Sequence, residues 1–333
     1  MLPDLQLPFL VPEYGTFPKY MFDTGPRVIM DNWVELGETL EPNESKTPKY
    51  TILIKREGSS NLWHCLLEIF STSLTLNVLQ MGQTSDSPFS TTPNISNTQV
   101  VLLDDHTDGP FSDLWSIFTN QPIRRLKDLS PTSFENIILP LAGGSNPLWQ
   151  TDYSRDGASC NTSALLRKFS RRVLDHYEIP VQPRQGSEIT VTFIDRMKTR
   201  ILLNHTEYLE DVKSSFPNVI IQEVDFETIS FEEQLQVTQQ TDILVGVHGA
   251  GLTHAMFLPP RSTVVEILPA QVDIRVFENL ASLLDHSYFS VHSSKRSDTS
   301  PKVDWHQESV SLNRESFADV LNIALKNLYN KSA

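Results

Sequence analysis

From residue 189 to residue 292, runs of β-branched and aromatic residues alternate with amphipathic stretches, and this alternation constrains the fold more tightly than any other feature. ITVTFI, NVIIQEV, DILVGV, TVVEIL and YFSVH read as strands, and LNHTEYLEDVKSSF, SFEEQLQVTQQ, GLTHAMF and IRVFENLASLLDH read as the helices between them. Ser230 and Glu233 stand at capping-box spacing where the second of these helices begins. Five strands alternating with four helices predict an α/β fold with a parallel, doubly wound sheet. Sheets of this kind take ligands at the carboxyl ends of their strands. That rule selects Asp195 and Arg196 after the first strand, His248 to Gly251 after the third, and Glu266 late in the fourth.

The first half of the chain is less regular. KYTILIKREG, QVVLLDD and FENIILPLAG read as strands, NLWHCLLEIFSTSLTLNVLQ as an apolar helix and FSDLWSIFT as a shorter one. Residues 161–177 make an amphipathic helix with Leu165, Leu166, Phe169, Val173 and Leu174 on one face. Residues 83–99 are polar and read as a surface loop. EIPVQPRQGSE, with two prolines and a glycine, reads as a domain linker. The expected organisation is a first α/β domain over 1–180, a second over 187–295, and a closing loop and helix over 296–333, the helix running from about Ser316 to Tyr329. A chain of 333 residues supports two such domains.

A formal net charge of −14 and a pI near 5.0 argue against nucleic acid as a partner, because phosphate backbones select basic surfaces. No apolar run reaches the ~18 residues of a membrane span, and the N-terminus lacks the basic start of a signal peptide. The expectation is a cytosolic chain or one without its targeting segment. Cys65 and Cys160 allow at most one disulfide and leave open whether it forms. Asn-x-Ser/Thr sequons at Asn43, Asn94, Asn161, Asn204 and Asn330 are a faint signal for the secretory route.

Four sets of residues carry possible chemistry. In GVHGAGLTH, Gly249, Ala250 and Gly251 let the backbone approach a ligand and turn into a helix, whose free N–H groups suit a diphosphate; a tight turn with no ligand is the alternative. HGAG also resembles an esterase oxyanion loop, but that enzyme needs a G-x-S-x-G elbow and the chain has none. Arg196 and Arg200, four apart at a strand exit, are either an oxyanion pair or a solvated face. Asn61, His64 and Glu68 share an apolar helix, His64 and Glu68 one turn apart, as a base with its orienting partner or as a self-satisfied pair; no third residue completes a metal site there. Asp104, Asp105, Asp108 and Asp113 form an acidic loop, read as caps and substrate-orienting contacts rather than a divalent-ion site.

DILVGVHGAGLTHAMFLPP followed by VVEILP resembles the signature of glycosyltransferase family 61. SFEEQLQVTQQTDILVG resembles that family's approach to the turn, and VTFIDRMKTRILLN its arginine-bearing strand exit. SCNTSALLRKFSRRVLDH and DGPFSDLWSIFT also have counterparts, and NLWHCLLE fits an N-x-x-H-x-x-x-D/E pattern, so the likeness covers about residues 50 to 295. The resemblance implies a GT-B architecture, two Rossmann-like domains facing across a cleft. It implies an inverting transferase that moves a sugar from a UDP-sugar to a hydroxyl of a protein or glycan, with no metal or other cofactor required. GlcNAc is the first expected sugar, with xylose or another pentose as alternatives, and a catalytically inactive nucleotide-sugar-binding protein as the competing reading. The implied diphosphate cradle is Gly249, Ala250 and Gly251, helped by Arg196 or Arg200 and by His248. Glu266 is expected at the ribose hydroxyls. Thr253 or His254 touches phosphate, unless His254 is scaffold. Glu68 is the expected base, with His64 next, and Asn61 and Asp113 are acceptor or structural support. Glutamate at 68 departs from the aspartate common in the family, and the chain ends without an ER-retention tail. The family points to the lumen of the ER or Golgi, although no signal peptide or anchor is visible here.

Overall fold

Two separate parallel sheets organise the chain in a computed structural model that describes residues 24–34, 50–81, 97–129, 136–150, 162–181, 188–270, 272–294 and 304–332. The chain divides into two compact units, Met1–Trp149 and Gln150–Ala333.

The first unit contains α1 (Pro26–Trp33), β1 (Thr51–Ile54), α2 (Leu62–Met81), β2 (Gln99–Leu102), β3 (Arg124–Arg125) and β4 (Ile137–Ile138), and α3 (Pro147–Gln150) begins at its end. Its sheet has the order β3-β2-β1-β4, every pair parallel. Leu53 and Val101 pack with Ile29 and Leu103, with Trp33 and Leu126 against them. The expected strand FENIILPLAG shrinks to two residues, because Pro140 has no N–H to continue a ladder. The expected helix FSDLWSIFT is a 3-10 segment, Ser112–Phe118. Helix α2 corrects the reading of apolar runs: an 18-residue window of its 20 residues has a mean hydropathy of 1.3, long and apolar enough by composition to cross a membrane. Two thirds of that stretch is buried inside the protein, which makes α2 a core helix against Ser112–Phe118 and Gly143–Ser145. Among the described residues no other helix meets that length and hydropathy.

The second unit carries the predicted alternation. It runs α4 (Ala164–His176), β5 (Ile189–Ile194), α5 (His205–Ser215), β6 (Val219–Val224), α6 (Phe231–Gln239), β7 (Ile243–Val247), a 3-10 helix Ala250–Phe257, β8 (Thr263–Leu268), α7 (Val276–Leu284), β9 (Ser287–His292) and α8 (Arg314–Ser332). The sheet order is β6-β5-β7-β8-β9, all parallel. Alternation along β5 sends Ile189, Val191 and Phe193 to one face, where Leu209, Val212, Phe317 and Leu321 from α5 and α8 cover them. On the other side α4, α6 and α7 pack around the 3-10 helix. The Ser230–Glu233 capping box forms as predicted, with both reciprocal bonds present.

The first domain therefore ends earlier than the expected residue 180. Leu166, Phe169, Val173 and Leu174 on α4 are buried, and α4 packs against the 3-10 helix and α7 of the second unit. Its Ser163 N-cap also donates a backbone N–H to Leu283. Cys65 is buried, while Cys160, most of the polar loop, the middle of the linker and the sequons at Asn43, Asn94 and Asn161 lie outside the described residues.

Candidate active site

Strand order locates the site in the second unit. From β5 the chain crosses through α5 to β6 on one side, then returns to place β7 on the other side of β5. The carboxyl ends of β5 and β7 therefore flank the switch point, the crevice where doubly wound sheets take ligands. Arg196 and Arg200 follow the first of those ends, and His248 to Gly251 follow the second.

Gly249 has φ 153° and ψ 179°. A Cβ built there would lie 3.0 Å from Arg196 Nη1 and 3.0 Å from both Cζ and Nη1 of Arg200. Glycine is required by the conformation and by the two guanidinium groups against it. The Leu252 N–H donates to the Gly249 carbonyl at 2.9 Å and closes the first turn, so the N–H groups of Ala250 and Gly251 have no acceptor within it.

The arginines are held rather than solvated. Arg196 donates through Nε to the Thr199 carbonyl at 2.8 Å and through Nη2 to Thr199 Oγ1 at 3.0 Å. Arg200 donates through Nη1 to the His248 carbonyl at 2.8 Å and lies over the Trp305 ring at 5.5 Å. Arg200 Nε is buried with no hydrogen-bond partner among the described residues. Burial lowers the pKa of both groups, and the like charge of Arg196 helps bring Arg200 to about 10. Among the described residues neither guanidinium has a carboxylate at ion-pair distance. Two neighbouring cations in that condition have the chemistry that suits an anion.

His248 is fixed from behind. Its Nδ1 lies 2.5 Å from Glu266 Oε1, and Tyr288 Oη donates to Glu266 Oε2 at 2.5 Å. Glu266, expected from the sequence at the ribose hydroxyls, is 0% exposed, with one oxygen on His248 and the other on Tyr288. Burial and the charge of Glu266 push the Tyr288 phenol well above its ordinary pKa, which keeps the proton it donates. The His248 ring packs against Phe277 at 5.5 Å and Trp305 at 5.6 Å.

Two more predicted residues face inward. Thr253 is 0% exposed, and its Oγ1 has no hydrogen-bond partner among the described residues. His254 sits between the Gly251 carbonyl at 2.8 Å and Gln234 Oε1 at 2.9 Å, against Phe226. The Gln234 amide is oriented by donating to the Phe226 and Ile229 carbonyls, so its oxygen must face the histidine. Burial lowers His254 to about 4, and a neutral ring has one N–H for two acceptors. Both ring nitrogens of the buried His254 thus face protein oxygens, as the scaffold alternative expects.

In the first unit, Glu68 accepts the Glu57 N–H through Oε1 at 2.8 Å, while Oε2 is buried without a partner among the described residues. Burial raises its pKa to about 8 against the lowering effect of the Glu57 N–H. Glu68 lines a small, open pocket with Lys55, Thr72, Trp115 and Gly143. His64 does not pair with it. His64 Nδ1 pairs with the Glu57 carboxylate, and the ring meets Trp149 edge-on at 5.0 Å. Asn61 is the N-cap of α2, accepting from the Trp63 N–H at 3.1 Å. Asp113 lies exposed in the first turn of its 3-10 segment.

The acidic loop is largely a partner for arginines. Asp104 receives both Nε and Nη2 of the buried Arg56, and Asp108 receives Arg125. Burial works to raise the Asp104 pKa, but the hydrogen bonds from Arg56 outweigh it and hold the carboxylate ionised. Among the described residues no group of three His, Cys, Asp or Glu is placed to hold a metal ion.

The sequence profile described as Glycosyltransferase 61 matches residues 62–265, more than half of the chain. The chain belongs to glycosyltransferase family 61. EGF domain-specific O-linked N-acetylglucosamine transferase of Drosophila melanogaster is 30% identical over 244 residues, covering 70% of this chain and 43% of that protein. The Bos taurus and Xenopus laevis proteins of the same name are each 30% identical over 250 residues, covering 73% of this chain and 45% of theirs. The chain thus spans less than half the length of these curated relatives. The span matched to family 61 begins after Glu57 and stops before Glu266, Tyr288 and Trp305. Of these, the sequence reading found only Glu266, from its place on a strand; Glu57, Tyr288 and Trp305 carried no local signal.

Proposed function

We propose that this family 61 chain transfers a sugar from a UDP-sugar to a hydroxyl group of a protein or glycan, with inversion at the anomeric carbon. The observation that carries the reading is the convergence of Arg196 and Arg200 on Gly249 at the switch point of the second sheet, two cations without a carboxylate partner among the described residues. The leaving diphosphate gains negative charge as the glycosidic bond to it breaks. The arginines, the amides at the turn and His248 supply the compensation in this reading, which calls on no metal.

The base comes from the first unit. A carboxylate whose pKa is near 8 is a stronger base than an exposed glutamate, and Glu68 Oε2 has no hydrogen-bond partner among the described residues to give up. Only the ionised fraction serves, so turnover should rise with pH through about 8. A GT-B arrangement, with the two units facing across a cleft, is part of this proposal. GlcNAc is the proposed sugar, following the names of the relatives, and the lumen of the secretory pathway is the proposed compartment. Thermal stabilisation by a panel of UDP-GlcNAc, UDP-GalNAc, UDP-glucose, UDP-xylose and free UDP tests the reading. Stabilisation by UDP and most strongly by UDP-GlcNAc is expected. A stronger response to UDP-xylose would change the sugar, and no response to any of the five would refute the donor site.

A further inference from the structure

We propose that Tyr288 and Glu266 are positioning residues for His248, fixing its ring so that Nε2 is the nitrogen presented to the donor's diphosphate; the inference rests on the turn being the diphosphate site. Glu266 stands in the middle of the sheet, paired with Gly246 on β7 and Ser290 on β9. Its neighbours Val265 and Ile267 join the core on the α5–α8 face, so alternation sends the Glu266 side chain to the opposite face, toward the 3-10 helix. Gly246 beside it has no side chain: a Cβ there would already lie 3.3 Å from Leu252.

A fully buried carboxylate is costly, and an apolar side chain of similar volume would serve packing as well or better. Glu266 is balanced by two donors that come from different strands. Tyr288 Oη on β9 occupies one oxygen, and His248 Nδ1 beyond β7 occupies the other, each at 2.5 Å. With Nδ1 committed as the donor to Glu266, the tautomer is set and Nε2 remains for a ligand. Phe277 and Trp305 pack beside the ring and limit its rotation. The carbonyl of the same residue receives Arg200, so one residue registers the cation through its backbone and the imidazole through its side chain. A diphosphate oxygen only accepts, so Nε2 must carry a proton to bind it. His248 takes one from solvent as UDP binds, keeping Nδ1–H on Glu266, and the Glu266 carboxylate stabilises that imidazolium as charge grows on the departing diphosphate. Tyr288 keeps that carboxylate oriented and never touches the donor.

The test is a double-mutant cycle on the whole chain, with UDP as the probe in calorimetry and melting temperature as a check on folding. Tyr288→Phe removes a single oxygen. It is expected to weaken UDP about 5- to 20-fold in the wild-type background, less than the roughly 10- to 150-fold of a direct hydrogen bond to a charged group because Tyr288 acts through Glu266, and to have no further effect in a His248→Gln background. Equal losses in both backgrounds overturn the positioning role. A His248→Gln variant that binds UDP as wild type does also overturns the positioning role, whereas a wild-type protein that binds no UDP overturns the diphosphate reading itself, so the two failures are distinct. A second measurement is independent of variant folding: in ¹⁵N-histidine-labelled wild-type protein His248 carries its proton on Nδ1, and an unprotonated Nδ1 would also overturn the proposal.

Discussion

Glu68→Gln changes one oxygen to an amide nitrogen, and the structure gives its effect on stability as well as on turnover. The glutamine oxygen keeps the 2.8 Å bond from the Glu57 N–H, and its NH₂ replaces the unpartnered Oε2. In the wild type the folded carboxyl has its pKa at about 8, against 4.5 ordinarily. Between those values the folded chain binds a proton that the unfolded chain has lost. Stability is full below pH 4.5 and falls as pH rises through 8, by at most about 5 kcal/mol. Glutamine does not titrate, so this slope should vanish: near pH 4 the variant and wild type should unfold alike, and at pH 9 the variant should be the more stable. Urea titrations from pH 4 to 9, followed by tryptophan fluorescence, measure this, because Trp33, Trp63, Trp115 and Trp149 all lie in the first unit. Turnover of UDP-GlcNAc should fall by about 10²- to 10⁴-fold, with UDP affinity unchanged. A variant with the wild-type pH slope would refute the buried, protonated carboxyl, and one with wild-type turnover would refute Glu68 as the base.

Four further outcomes are expected. Gly249→Val places a side chain at φ 153° against both guanidinium groups, and calorimetry should show UDP affinity reduced at least about tenfold. Arg200→Met should weaken UDP by about 10- to 100-fold and flatten the salt dependence of binding measured between low and high ionic strength. His254 is held at about 4, below its ordinary 6.5, so its contribution is present above pH 6.5 and is lost as pH falls through 4, up to about 3 kcal/mol; acid unfolding of His254→Gln should lose that component. Arg56→Met leaves the half-buried Asp104 without its guanidinium partner, held by the backbone N–H groups of residue 56 and His106, and should cost about 1–3 kcal/mol in chemical denaturation, part of it recovered when Asp104→Leu is added.

The second unit was legible almost strand by strand because its signal is local. A run such as TVVEIL declares a buried strand by composition, and GVHGAG declares a turn by its lack of side chains. The first unit was harder. Its β3 and β4 are two residues each, too short to show a period, and α2 is buried on so many sides that its apolar residues form no stripe. Boundary errors have the same origin: α4 is amphipathic wherever it packs, and nothing in its own sequence says which sheet it will cover.

By itself the sequence determined the parallel sheet of the second unit, the glycine turn at the end of its third strand, the capping box and the arginines at the strand exit. These follow from period and chain position, which neighbouring residues encode together. Tertiary structure alone decided who pairs with whom. His64 turned from Glu68, one helical turn away, to Glu57 in the preceding loop. Glu266 became the support of His248, 18 residues earlier, and of Tyr288, 22 residues later. Such pairs depend on strand register and on which carboxylates are cut off from water. Both are set only when the sheets close over their cores, because a buried charge must then find its donors among whatever side chains the register brings beside it.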